Sequence, residues 1–252
     1  LSLDAYKGPL AHPFQAGHVR TAARMSGVIL NFGVGLGKTL TALMLAALLK
    51  QSGRASLPAI VVPLSRLGDW VMNAANALPD FQVLVVGGEP VRDASGKFVL
   101  NEDGDPEVRE DNGDKRRLKF ASILTDQPDL IIMTAETLEM IPMLHETHKR
   151  YIESNASLMS TVGTADTFDD RHRKLGGHKE LARYEASLSR HLRRVTSATQ
   201  TDIPFEALGI DALIADECHM YKNSHATPRV YGESSPKFLG SGGESNRALD
   251  AL

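Results

Sequence analysis

The sequence has one cysteine in 252 residues, Cys218, so no disulfide can form within the chain. A disulfide-stapled secreted scaffold is excluded, and a reducing, cytoplasmic setting is the expectation. Charge excess of either sign is also missing. The 28 Lys and Arg stand against 31 Asp and Glu, a net charge of −3. The broad basic footprint usual in nucleic-acid binders is therefore absent, and a local groove would have to serve any polyanion. No apolar run approaches the about 20 residues of a membrane span, so no membrane partner is expected. Thr39–Leu49 comes nearest, and Lys38 and Lys50 close it at both ends. Leu1-Ser2-Leu3-Asp4 carries no basic region, no signal-peptide core and no initiating Met, and the chain reads as a piece of something longer. Internal repeats are lacking as well.

Apolar residues make up 42% and charged residues 23%, the balance of a globular protein with a sizeable core. Leu10–Arg24 reads as a helical approach, and Gly27-Val28-Ile29-Leu30-Asn31 as a short buried strand. Lys38–Lys50, with Leu and Ala on all sides, reads as a buried helix. Further strands are expected at Pro58–Val62, Val83–Val86, Asp129–Met133 and Ala212–Ala215. Ser65 is a candidate cap for a helix that continues through Trp70 to about Ala77. Residues Glu89–Lys115 are rich in Asp, Glu, Gly and Asn and read as a solvated loop or a mobile hairpin, followed by a helix near Asp114–Leu124. Strands alternating with helices predict an α/β fold, a mostly parallel sheet covered by helices on both faces. The stretch from about Leu144 to Leu208 has helical patterns and few strand signals, and reads as a helical insertion.

Two patterns carry chemistry. Gly33-Val34-Gly35-Leu36-Gly37-Lys38-Thr39 follows a predicted strand and opens a predicted helix, the context of a phosphate-binding P-loop. Glycines let the backbone curl so that its N–H groups face phosphates, and the helix N-terminus adds partial positive charge. Lys38 would reach the outer phosphates of ATP, and Thr39 would hold Mg²⁺ through its hydroxyl. The strict pattern asks for Gly where Phe32 stands. The second pattern is Leu213-Ile214-Ala215-Asp216-Glu217, an apolar strand ending in two acids. Asp216 would hold Mg²⁺ through its water shell, and Glu217 would polarise the attacking water. In an open parallel sheet both patterns belong at the carboxyl ends of strands, where ligands bind.

These residues resemble a known family. Asp216-Glu217-Cys218-His219 is similar to the DEAH-type box of superfamily 2 helicases, with Cys in the third place. Tyr221-Lys222-Asn223 continues it as in Swi/Snf-type DNA translocases, and Gly35-Leu36-Gly37-Lys38-Thr39 resembles their P-loop. Pro13-Phe14-Gln15 resembles the element before that loop, Val61-Val62-Pro63-Leu64-Ser65 with Trp70 the next motif, and Ile132-Met133-Thr134-Ala135-Glu136 the one after. The motifs keep their order over about Leu10–Asn223.

The resemblance implies a RecA-like P-loop domain, the N-terminal ATPase lobe of a helicase or translocase, filling 1–252 with the insertion inside it. It implies ATP and Mg²⁺ as cofactors and movement on nucleic acid, most often duplex DNA. By the same resemblance Gln15 reads adenine, Gly33, Gly35, Gly37, Lys38 and Thr39 hold phosphates and metal, and Asp216, Glu217 and His219 serve catalysis and its coupling to the track. Pro63, Ser65, Arg66 and Thr134 are the nucleic-acid candidates. A second RecA-like lobe, which supplies the transition-state arginine, is absent from the sequence, so the piece is expected to bind nucleotide and hydrolyse it poorly. A phage or restriction-related source fits such a lobe within a long chain. The competing readings are an unrelated P-loop ATPase and a nucleic-acid-binding module with a vestigial ATP site.

Overall fold

The computed structural model describes residues 4–102, 104–144, 146, 147, 150 and 203–218. The chain divides into two compact units, Leu1–Glu139 with Leu208–Leu252, and Met140–Ala207. Most of the stretch read as a helical insertion lies outside the described residues. In the second unit a 3-10 turn spans Phe205–Ala207, and the Glu206 carboxylate accepts the backbone N–H of Leu144.

The first unit is built on a four-stranded parallel sheet. Its strands are β1 (Pro58–Val62), β2 (Val83–Val86), β5 (Leu130–Thr134) and β6 (Ala212–Ala215), in the order β2-β5-β1-β6. Every residue of β1 and of β5 is buried, as expected for inner parallel strands made of continuous apolar runs. The two pair in register Ala59↔Ile131 through Val62↔Thr134, and β6 pairs with β1 from Pro58↔Ala212 to Val61↔Ala215. Among the described residues β6 has a neighbour on one side only, and its residues alternate between half-buried and exposed, with Leu213 41% exposed.

Among the described residues four helices pack on the sheet, and a fifth packs on one of them. α2 (Lys38–Gln51) and α3 (Leu67–Ala77) meet Ile60, Val62, Leu130 and Ile132 in one apolar cluster. α1 (Pro13–Ala22) packs on another side of α2, through Val19 and Ala22 against Met44, Leu45 and Leu48. This double contact explains why α2 is apolar all round. α4 (Gly113–Asp126) packs against β2, and the short α5 (Ala135–Leu138) against β5 and β1. Asn112 caps α4, its side-chain oxygen accepting the Lys115 N–H.

The acidic stretch forms a hairpin. β3 (Gly88–Pro90) pairs antiparallel with β4 (Val108–Glu110), and bridges at Arg92↔Phe98 and Leu100↔Pro106 extend the arm. The Arg92 guanidinium lies 4.0 Å from the Phe98 ring centroid. A buried ion pair ties the base of the arm to α4. Asp111 is 4% exposed, accepts the Gly87 N–H at 2.8 Å and receives Lys119 Nζ at 2.7 Å.

Two expectations fail here. No strand forms over Gly27–Asn31: the segment carries no ladder, and Val28 and Ile29 are 43% and 80% exposed. An apolar run becomes a strand only where a neighbour takes its backbone hydrogen bonds, and none of the four strands does so. Ser65 is not the cap of α3. It sits inside a 3-10 turn, Leu64–Arg66, and Arg66 occupies the cap position with no side-chain hydrogen bond. Pro63 sets the extended backbone that starts this turn.

Candidate functional site

The short connection at 52–57 reverses the chain between α2 and β1. The N-terminus of α2 therefore points toward the carboxyl end of the sheet, where β1, β5 and β6 finish almost level. There Asp216 donates its backbone N–H to Val61 O at 2.9 Å. The glycine loop and the acidic pair thus belong to one end of the sheet, although they lie at opposite ends of the sequence.

The loop conformation follows from its glycines. Gly35 has φ +80° and Gly37 φ +72°, the left-handed region that side chains rarely adopt. Gly37 is the cap residue of α2. The first N–H groups of a helix have no internal partner, so Lys38, Thr39 and Leu40 present backbone donors at its mouth. No acidic residue lies in the first turn of α2 to compete with an anion. Lys38 is exposed and Thr39 half-buried. Gly33 closes the loop by accepting the Leu36 N–H at 3.5 Å.

Gln15 is placed unlike a residue waiting for a base. It is 5% exposed. Its amide Nε2 donates to Leu36 O at 3.2 Å and to Gly37 O at 3.4 Å, and its Oε1 accepts the His12 N–H at 2.9 Å. Both ends of the amide are used within the protein, and the side chain latches helix α1 to the phosphate loop. A Cβ on Gly37 would stand 2.5 Å from Gln15 Nε2. Glycine is thus required there for space as well as for φ.

Phe32, at the place where the strict loop pattern has glycine, joins an aromatic cluster. Its ring stands edge-on to His18 at 5.2 Å and to Phe14 at 6.0 Å. These three residues, with Ile29 and Leu36, line a cavity of about 370 Å³. The Phe32 position signals the departure in the sequence, but pairing with α1 was not legible from it.

At the acidic end, Asp216 is half-buried and Glu217 exposed. Asp216 Oδ1 accepts the Glu217 N–H at 2.9 Å, and Oδ2 accepts the indole N–H of Trp70 at 3.0 Å. Trp70 is 2% exposed and belongs to the main apolar cluster. The hydrogen bond to Asp216 crosses 146 residues of sequence, and sequence reasoning missed it. Glu217 has φ +52°, the left-handed region. Such strain in a non-glycine residue costs about 1–2 kcal/mol and gathers at functional sites.

Of the nucleic-acid candidates, Pro63 is half-buried and Ser65 and Arg66 exposed, on the turn that leaves β1. Arg66 is paired with Asp69 at 2.7 Å. Thr134 is placed differently: it is 2% exposed, caps α5 and shares a hydrogen bond with Thr137 at 2.8 Å. Its hydroxyl is taken up inside the protein. His219 and the Tyr221-Lys222-Asn223 run lie outside the described residues. Among the described residues no helix is long and apolar enough to cross a membrane.

A family model described as "Probable helicase domain" matches residues 106–252. Defense against restriction protein B of Escherichia phage P1 is 32% identical over 240 residues, covering 86% of this chain and 10% of that protein. The chain thus spans about a tenth of that relative's length. A solved structure, the Sulfolobus solfataricus SWI2/SNF2 ATPase core in complex with dsDNA, aligns with a TM-score of 0.38 and 14% identity, over 86% of this chain and 46% of that one.

Proposed function

We propose, from the premise that this chain belongs to the probable-helicase-domain family, that it is the ATP-binding lobe of a motor acting on nucleic acid, with duplex DNA as the track. The observation that carries this reading is the joint placement of a glycine phosphate loop and an acidic strand end at one end of a parallel sheet. The N–H groups at the mouth of α2 receive the phosphates, and Lys38 adds a full positive charge to them. The open space around Gly35, where an added Cβ would meet nothing within 4 Å, leaves room for a phosphate against the backbone. Thr39 and Asp216 offer the hard oxygen donors that suit Mg²⁺, and that ion would neutralise charge on the phosphate oxygens. Glu217 orients and deprotonates the attacking water. Gln15 contributes by holding the loop in its curled form and not by reading the base.

The turn Pro63–Arg66 presents Ser65 and Arg66 at the same end of the sheet and is the proposed contact with the phosphate backbone of the track. The resemblance to Swi/Snf-type translocases supports duplex DNA. The similarity to the phage P1 protein supports a role connected with restriction in the longer protein. His219 retains its proposed part in coupling the two sites.

Mg-ATP binding, measured by calorimetry beside Lys38→Ala, tests the reading. A charge-assisted contact with phosphate is worth about 1.5–3 kcal/mol, so the variant should bind roughly ten- to a hundredfold more weakly. Its fold should be unchanged, because Lys38 is exposed. Equal affinity in the two proteins would refute the assignment of the loop.

A further inference from the structure

The acid at the end of β6 is held from behind by Trp70, a motif residue to which the resemblance assigns no role at the ATP site. Trp70 lies on α3, inside the main apolar cluster, with 2% of its surface exposed. A buried indole N–H must find an acceptor, and any nearby backbone carbonyl would satisfy it. Here it donates instead to a carboxylate, Asp216 Oδ2, at 3.0 Å. The other oxygen takes the Glu217 N–H at 2.9 Å. With one donor on each oxygen the carboxylate cannot rotate freely. Each oxygen still has capacity to accept another partner.

Neighbouring residues sharpen the point. Asp216 is the first residue beyond β6, with no strand to restrain its side chain, and it is only half-buried. Without Trp70 the carboxylate would keep only the N–H of the adjacent Glu217 to set its direction at the edge of solvent. Trp70 itself is fixed by Leu67 and Ala74, which share its face of the helix one turn to either side, and by the apolar residues of α2 and β1. A rigid donor thus sets the direction of a side chain that would otherwise be mobile.

We propose that Trp70 is the positioning residue of the metal site: its indole N–H orients Asp216 so that the remaining lone pairs of the carboxylate serve the water shell of Mg²⁺. The inference rests on the function proposed above. Trp70 touches neither nucleotide nor metal and acts only through Asp216. Losing the hydrogen bond weakens the grip on the divalent ion and leaves the metal-independent part of nucleotide binding as it was.

The test uses the whole chain with ATP and titrated Mg²⁺. Trp70→Phe keeps most of the buried ring and removes the N–H. Val71→Ala, one position on and 9% exposed, removes packing from the same helix without touching Asp216. The midpoint of the Mg²⁺ dependence of ATP binding should rise about three- to tenfold in Trp70→Phe and stay in place in Val71→Ala. ATP binding without Mg²⁺ should be equal in all three proteins. Because Trp70 is the one tryptophan of the sequence, its emission in the wild type reports on the site directly. That emission should change on adding Mg²⁺ to the ATP-bound chain, with the same midpoint. An unchanged midpoint in Trp70→Phe, an equal rise in Val71→Ala, or an indole emission blind to Mg²⁺ overturns the positioning role and leaves the proposed function standing. A folded wild type that binds no ATP with or without Mg²⁺ overturns both.

Discussion

Replacing Gly37 by alanine tests the latch between α1 and the phosphate loop. Two costs can be worked out from the structure. Gly37 has φ +72°, and an alanine in that region costs about 1–2 kcal/mol. The new Cβ would also fall 2.5 Å from Gln15 Nε2, so the Gln15 side chain must move. Gln15 is 5% exposed and donates to Leu36 O and Gly37 O at 3.2 and 3.4 Å. These are long bonds, so the latch as a whole is taken as a single net hydrogen bond of about 1 kcal/mol. The expected loss is roughly 2–3 kcal/mol, well inside the about 5–15 kcal/mol of a typical domain, so the variant still folds. Gly35 provides the control. Its φ is +80°, but an added Cβ meets nothing within 4 Å, so Gly35→Ala should show the backbone cost alone. Urea unfolding followed by Trp70 fluorescence measures both. The difference between them is the latch, and it should vanish when Gly37→Ala is made in a Gln15→Ala background. Equal losses for Gly35→Ala and Gly37→Ala, or an excess at Gly37 that survives the Gln15 change, would refute the latch.

Three further outcomes are expected. Asp111→Ala leaves the Lys119 ammonium, 12% exposed, with Glu89 at 3.3 Å as its remaining carboxylate and takes the side-chain acceptor from the Gly87 N–H, and should cost about 1–3 kcal/mol in urea unfolding; Asp111→Asn should cost less, because the amide oxygen still accepts the Gly87 N–H. The hydrogen bond from Lys115 holds the Glu89 carboxyl below its ordinary value of 4.5, with Lys119 adding to the effect and partial burial opposing it. A depressed carboxyl stabilises the fold above its unfolded value and ceases to do so as pH falls through the folded one, so protection from amide exchange at the base of the hairpin, taken relative to the intrinsic rate at each pH, should fall only on acidification below pH 4.5. The Glu89 side chain is 47% exposed, so that effect is small. Arg66→Ala should weaken binding of duplex DNA similarly on all sequences and reduce the slope of affinity against salt by about one phosphate contact; an unchanged slope would remove Arg66 from the track.

Local chemistry made much of the protein readable in advance. The apolar runs at Pro58–Val62, Val83–Val86 and Ala212–Ala215 are strands with those bounds, and β5 is displaced by one residue from the stretch expected at Asp129–Met133. Helix α2 starts at Lys38, as the glycines before it demanded. Such features depend on the residue and its close neighbours: backbone freedom at glycine, the missing donor of proline, the period of apolar side chains. The acidic stretch left loop and hairpin open, and the structure has the hairpin. The parallel sheet, the helices on it and the placing of the loop and the acidic pair at the carboxyl ends of strands followed from the alternation of elements; the strand order β2-β5-β1-β6 did not.

What the tertiary structure alone decided is what depends on a distant partner. Gly27–Asn31 has the composition of a strand, but none of the described strands pairs with it, and Val28 and Ile29 are exposed. Thr134 stands in a motif expected to face nucleic acid, and its hydroxyl turns inward to cap α5. Gln15 is turned toward the phosphate loop by the approach of α1, and Trp70 meets Asp216 across 146 residues. A side chain's type sets which bonds it can make, and that is legible from one residue. Which bond it does make depends on what the fold brings within about 3 Å of it, and no local pattern carries that distance.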